Sequence, residues 1–160
     1  MKTTVNITIN GESYEETIPN RMLLVDFIRE VAVQTGTHVG CTYEGVCGAC
    51  TIQLDGEAVK SCLMLAVQAD GHQITTVEGM CNEDQTPGIL QEAFQDAHGM
   101  QCGYCTPGML ISAQALLTAN NDPSLEEIKD AIGGNLCRCT GYTQIIESIQ
   151  LAASRMREAG

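Results

Sequence analysis

Nine of the 160 residues are cysteine, and eight of them fall into two sets of four, one set in each half of the chain. Cys41, Cys47, Cys50 and Cys62 form the first set, and Cys102, Cys105, Cys137 and Cys139 form the second; Cys81 lies between them and reads as a free thiol. Half-chains of roughly 80 residues have little core of their own, so each gains from a metal-centred staple. An odd number of cysteines fits a closed disulfide framework poorly. Dense cysteine in a reduced compartment points to metal or redox chemistry. Four thiolates are the ligand count of a [2Fe–2S] cluster. Zinc also accepts four thiolates with C-x2-C spacing, and stays a competing reading for either set.

The spacing inside each set carries further information. Cys47-Gly48-Ala49-Cys50 puts two thiols on one tight loop, with Cys62 a hairpin later. The interval from Cys47 to Cys50 matches plant-type ferredoxin spacing, whereas Cys41 and Cys47 are separated by five residues instead of four. Gly40, Gly45 and Gly48 allow backbone N–H groups to approach the sulfurs of an anionic centre. Cys102 and Cys105 come just before Thr106-Pro107, a helix-opening dipeptide, and Cys137 and Cys139 come before a last apolar-periodic segment. Both pairs are thus expected near helix N-termini, where the positive dipole end favours an anion. The 31 residues between Cys105 and Cys137 suffice for two helices that bring the pairs together.

Periodicity gives the scaffold. Val5, Ile7 and Ile9 alternate with polar residues, Asn10-Gly11 signals a type I′ turn, and Tyr14 to Ile18 runs back. Leu23, Leu24, Phe27, Ile28 and Val31 recur at helical spacing, with Gly36 as the expected stop. Thr51 to Leu54 and Glu57 to Lys60 flank Asp55-Gly56 as a second hairpin, and Gln73 to Val77 is one more strand. This ββαβ order predicts a β-grasp sheet. The second half reads as four helices. One opens at Thr86-Pro87 and closes at Gly99, and one follows Thr106-Pro107. A third starts on the Ser124-x-x-Glu127 capping box and stops at Gly133-Gly134, and the last starts near Tyr142. The expected class is α+β: a β-grasp ferredoxin-like domain over residues 1–79, then an all-α four-helix domain over residues 80–160.

Charge and patterning exclude other classes. Eight Lys and Arg against twenty Asp and Glu give a formal charge of −12, which argues against nucleic-acid binding. No apolar run reaches the length of a membrane span, and the alternating N-terminus reads as a strand, not a leader, so the expected compartment is the cytoplasm. His38, His72 and His98 lack ligand spacing and read as structural or surface residues; Tyr43, Tyr104 and Tyr142 read as packing near the thiols. Nothing orders the carboxylates into a general acid and base.

EGVCGACT from Glu44, QCGYCTPGM from Gln101 and GNLCRCTGY from Gly134 resemble the small iron–sulfur subunit of the molybdenum hydroxylases. This family includes xanthine dehydrogenases, aldehyde oxidoreductases and carbon monoxide dehydrogenase. The likeness covers nearly the whole chain. It implies an electron-transfer subunit with two [2Fe–2S] clusters and no substrate chemistry of its own. By the same resemblance Cys41, Cys47, Cys50 and Cys62 hold one cluster, and Cys102, Cys105, Cys137 and Cys139 the other. The resemblance also implies that Gln101 hydrogen-bonds the molybdopterin cofactor and that Cys139 is the cluster ligand nearest to it. The implied partners are a large molybdopterin-binding subunit and a medium FAD-binding subunit, in a heterotrimer or its dimer. Arg138 would meet cluster charge or a neighbouring subunit. The family pattern has four residues between its first two cysteines, so the extra residue here implies a bulge at Thr42 to Glu44 or an altered environment. Two other functions compete: a free-standing ferredoxin-like carrier and a zinc-stapled interaction module.

Overall fold

The computed structural model describes residues 1–159. Strand β1 (Lys2–Ile9) pairs antiparallel with β2 (Glu12–Pro19) through Asn10-Gly11, whose φ angles of 52° and 85° are the two positive values a type I′ turn needs. Val5, Ile7 and Ile9 face inward, as their alternation predicts. Strands β3 (Thr51–Leu54) and β4 (Glu57–Lys60) form the second hairpin. Strand β5 (Gln73–Thr75) lies parallel to β1 and antiparallel to β3, completing a sheet of order β2-β1-β5-β3-β4.

Helix α1 (Leu24–Asp26) continues as a wider π-helical turn, Phe27–Val31, and stops there, short of the expected Gly36. The backbone N–H of Ala32 reaches back five residues to Phe27, and Val33 then turns left-handed at φ 56°. Leu24, Val25, Phe27 and Ile28 are buried, while Leu23 and Val31 are only partly covered. The wide turn rotates the apolar face relative to a regular helix. Beneath it lies the first core, built from the inner sheet face, α1, Ala66 and Ala69.

The second half contains α2 (Ile89–Asp96), α3 (Thr106–Ala119), α4 (Leu125–Ile132) and α5 (Thr143–Ala159). Helix α2 starts at Ile89 and not at Thr86-Pro87, because Thr86 is held in a turn by Asp84 and Asn82. Gly88 is its N-cap, and the Gly88 N–H donates to Gln91 Oε1 at 2.8 Å. Helix α3 has Pro107 in its first turn, as expected, and every residue from Thr106 to Ala113 is buried. One side of α3 packs on β3 and β4, the others on α2 and α4, so it belongs to both halves of the molecule. The second core gathers Phe94, Met109, Ile128, Ile145 and Ile149.

The capping box of α4 is complete. Ser124 Oγ accepts the Glu127 N–H at 3.3 Å, and Glu127 Oε2 accepts the Ser124 N–H at 2.7 Å. Ser124→Ala should therefore cost about 1 kcal/mol of stability, read as a lower denaturant midpoint. No helix among the described residues is long and apolar enough to cross a membrane.

Candidate iron–sulfur sites

The first cysteine set is assembled by the loop before β3 and the turn after β4. Gly45 and Gly48 both adopt φ 71°, and Gly48 approaches neighbouring backbone so closely that a Cβ there would lie 2.4 Å from the Gly134 carbonyl oxygen. Only glycine serves at that point. The additional residue between Cys41 and Cys47 is absorbed where the sequence placed a bulge: Thr42 and Tyr43 are left-handed at φ 56° and 67°, and the Glu44 N–H closes onto the Cys41 carbonyl at 3.3 Å. Cys41 still meets Cys47. Backbone N–H groups of Cys47 and Val46 point at the Cys41 sulfur and pull its thiol down to about 7. Cys50 and Cys62 are buried and in contact, and burial pushes the Cys50 thiol up to about 12.

The second set also forms two pairs. Cys139 Sγ lies 3.5 Å from Cys102 Sγ, and both residues are exposed. Cys105 and Cys137 make the inner pair, packed against the helical core. Burial is the main reason the Cys105 thiol rises to about 12. For Cys137, burial is opposed and outweighed by the Thr140 hydroxyl at 3.2 Å and by N–H groups of Thr140 and Cys139, so its thiol falls. The Cys102 thiol, hydrogen-bonded to Cys139, raises that of Cys139. Cys105 is the N-cap of α3, as the helix-terminus argument requires, whereas Cys139 stands four residues ahead of α5 on a loop. That loop is held by Tyr142: its hydroxyl accepts the Cys137 N–H at 2.9 Å and donates to the Asn135 carbonyl at 3.2 Å.

Pairs of thiols suit a dinuclear cluster, in which each iron takes two protein ligands. A structural zinc ion needs four donors converging on one point. The thiols of both quartets lie in pairs, Cys41 with Cys47, Cys50 with Cys62, Cys102 with Cys139 and Cys105 with Cys137, which is the arrangement that fits [2Fe–2S]. In the cluster-free chain, Cys41 should alkylate as pH rises through about 7, while Cys50 and Cys105, at about 12, stay protonated. Mass mapping after brief iodoacetamide treatment reads this order; Cys50 or Cys105 labelling ahead of Cys41 would contradict it.

The remaining candidates are dispersed around these sites. Gln101 is exposed beside Cys102, and Arg138, between Cys137 and Cys139, is exposed as well. His38 and Tyr104 stack at 4.6 Å, with the Tyr104 hydroxyl donating to the Val39 carbonyl at 2.7 Å, so this pair joins the two halves beside Cys41. Tyr43 donates instead to Asp26. His72 pairs with Asp55 at 2.6 Å, and His98 follows α2 at φ 56°. The Cys81 sulfur meets the Gln91 amide at 3.7 Å, away from both quartets. Sequence reasoning missed Thr140 and Asn135, because neither belongs to a local pattern that announces its contacts.

Sheet, helices and paired thiols together describe an iron–sulfur protein of the [2Fe–2S] type, and the family matches agree. Residues 7–82 match the 2Fe-2S iron-sulfur cluster binding domain, and residues 76–150 match a [2Fe-2S] binding domain. Caffeine dehydrogenase subunit gamma of Pseudomonas sp. (strain CBB1) is 53% identical over 149 residues, covering 91% of this chain and 88% of that one. The nicotinate dehydrogenase small FeS subunit of Eubacterium barkeri is 49% identical over 155 residues, covering 96% of this chain and 97% of that one. A chain in the crystal structure of quinoline 2-oxidoreductase from Pseudomonas putida 86 superposes with a TM-score of 0.92 at 45% identity, covering 98% of this chain and 97% of that chain. The chain belongs to the small iron–sulfur subunits of the molybdenum hydroxylases, the xanthine dehydrogenase family.

Proposed function

We propose that this chain is the electron-transfer subunit of a multi-subunit molybdenum-containing hydroxylase or dehydrogenase. The observation that carries the reading is the presence of two paired thiol quartets in one chain, the second opening to the surface at Cys102 and Cys139. Cys41, Cys47, Cys50 and Cys62 would hold one [2Fe–2S] cluster, in a β-grasp ferredoxin-like domain spanning residues 1–79. Cys102, Cys105, Cys137 and Cys139 would hold the other, in a four-helix domain spanning residues 80–160. When bound, each cluster supplies a one-electron redox centre. The backbone N–H groups around Cys41 and the Thr140 hydroxyl beside Cys137 stabilise negative charge on those sulfurs.

The exposed end that carries Gln101 and Cys139 suits contact with a molybdopterin cofactor on a large subunit, where substrate is oxidised. The first quartet, around Cys41, suits delivery toward FAD on a medium subunit or to an external acceptor. A heterotrimer, or its dimer, in the cytoplasm follows from this reading. Purification of the native complex tests it. The expected result is a red-brown protein with about four irons and four labile sulfides per copy of this chain, accompanied by larger molybdenum and flavin chains. A stable lone red-brown chain would instead mark a free carrier, and a colourless zinc protein would reject iron–sulfur chemistry altogether.

A further inference from the structure

The two quartets are held together by a polar joint that the sequence motifs do not announce. Asn135 is only 4% exposed, and its side-chain amide is engaged on both sides. Its Oδ1 accepts the Ser112 hydroxyl of α3 at 2.9 Å. Its Nδ2 donates to the Gly48 carbonyl at 3.0 Å and to Thr51 Oγ1 at 3.4 Å. Thr51 Oγ1 is free to accept because its own proton goes to the Gly48 carbonyl at 2.6 Å. The Asn135 backbone carbonyl takes the Tyr142 hydroxyl, which also accepts the Cys137 N–H. One step along the chain, the Leu136 N–H donates to the Cys47 carbonyl at 2.8 Å. One buried residue thus touches the Cys47–Cys50 loop, the helix that begins at Cys105, and the support of Cys137.

The packing leaves the joint no slack. A Cβ on Gly48 would strike the Gly134 carbonyl, and one on Gly108 would strike the Gly48 carbonyl. Close backbone approach brings the segments of the joint together, and the amide fixes their register. Removing the amide leaves the Gly48 carbonyl, the Ser112 hydroxyl and Thr51 to rearrange in a buried space, which loosens the approach.

We propose that Asn135 is a positioning residue that sets the spacing between the two cluster sites. The proposal rests on the electron-transfer reading above, and the test separates the two. In the intact complex with both clusters reduced, magnetic coupling between them splits the paramagnetic resonance signals, and the splitting falls steeply with separation. In Asn135→Ala both cluster signals should persist with their own line positions, while the splitting narrows or disappears. Persistence of both signals with unchanged splitting would overturn the proposal. A wild-type complex without two cluster signals would instead overturn the electron-transfer reading beneath it. Should Asn135→Ala fail to assemble, Ser112→Ala decides, since it removes one hydroxyl and keeps the amide. Hydrogen exchange at the Leu136 and Thr51 amides should then speed up relative to wild type. Unchanged protection at both would reject the role assigned to Asn135.

Discussion

Cys139→Ala in the intact complex should abolish electron flow from substrate and leave the first cluster's signal in place. The asymmetry follows from where the sulfurs sit. Cys139 and Cys102 form the outward pair of the second quartet at 3.5 Å, so in the proposed cluster the loss of one would leave an iron on that side short of a ligand. The first quartet shares none of these sulfurs: its Cys50 and Cys62 are buried against Val25 of α1, and its Cys41 is held by N–H groups of its own loop. Iron content should fall from about four to about two per chain, and turnover should vanish. Undiminished turnover with the second signal gone would mean that electrons bypass the helical quartet. Because Cys139 is exposed, its removal opens no core cavity, and the folding of the chain should be nearly unaffected.

Gly48→Ala strikes at both scaffold and site. At φ 71° the left-handed backbone alone costs a non-glycine residue about 1–2 kcal/mol. The new Cβ would also lie 2.4 Å from the Gly134 carbonyl oxygen and 2.9 Å from the Asn135 Cα, atoms of backbone that cannot swing aside like a side-chain tip. Relief requires the loop to move, and the loop carries Cys47 and Cys50. The expected result is a markedly lower denaturant midpoint in the cluster-free chain and loss of the first cluster in the loaded one. Gly11→Ala is the matched control: it is left-handed at φ 85°, with nothing within 4 Å of where a Cβ would stand, and should show the conformational cost only. Equal losses for the two variants would show that close approach contributes nothing.

What the sequence revealed and what it hid divide along the range of the interactions. Asn10-Gly11, Asp55-Gly56 and the Ser124–Glu127 box are local devices whose hydrogen bonds close within a few residues, and each forms where its residues predict. The two groups of four thiols are also legible, because the chain offers two such sets, but the pairing inside them is not: Cys102 meets Cys139 and Cys105 meets Cys137, across the neighbours in sequence. The misplaced boundaries come from competing partners. Thr86 donates its N–H and hydroxyl to Asp84 and accepts from the Asn82 amide, which delays α2. Thr76 is claimed by Asn10 through its N–H, at 2.9 Å, so β5 ends before Val77. Gln34 likewise reaches back to Ile28 past the π-helical turn. The least legible contacts are the long-range polar ones at Asn135 and His38, made by single residues with no periodicity to betray them.

Helix α3 gives the molecule a property beyond its role as scaffold. Its first eight residues are buried between the sheet hairpin on one side and the other helices on the rest. A chain cut between the two halves would expose the side of α3 that packs on β3 and β4, while the hairpin lost its cover. Such a unit is poorly suited to shuffling its halves separately.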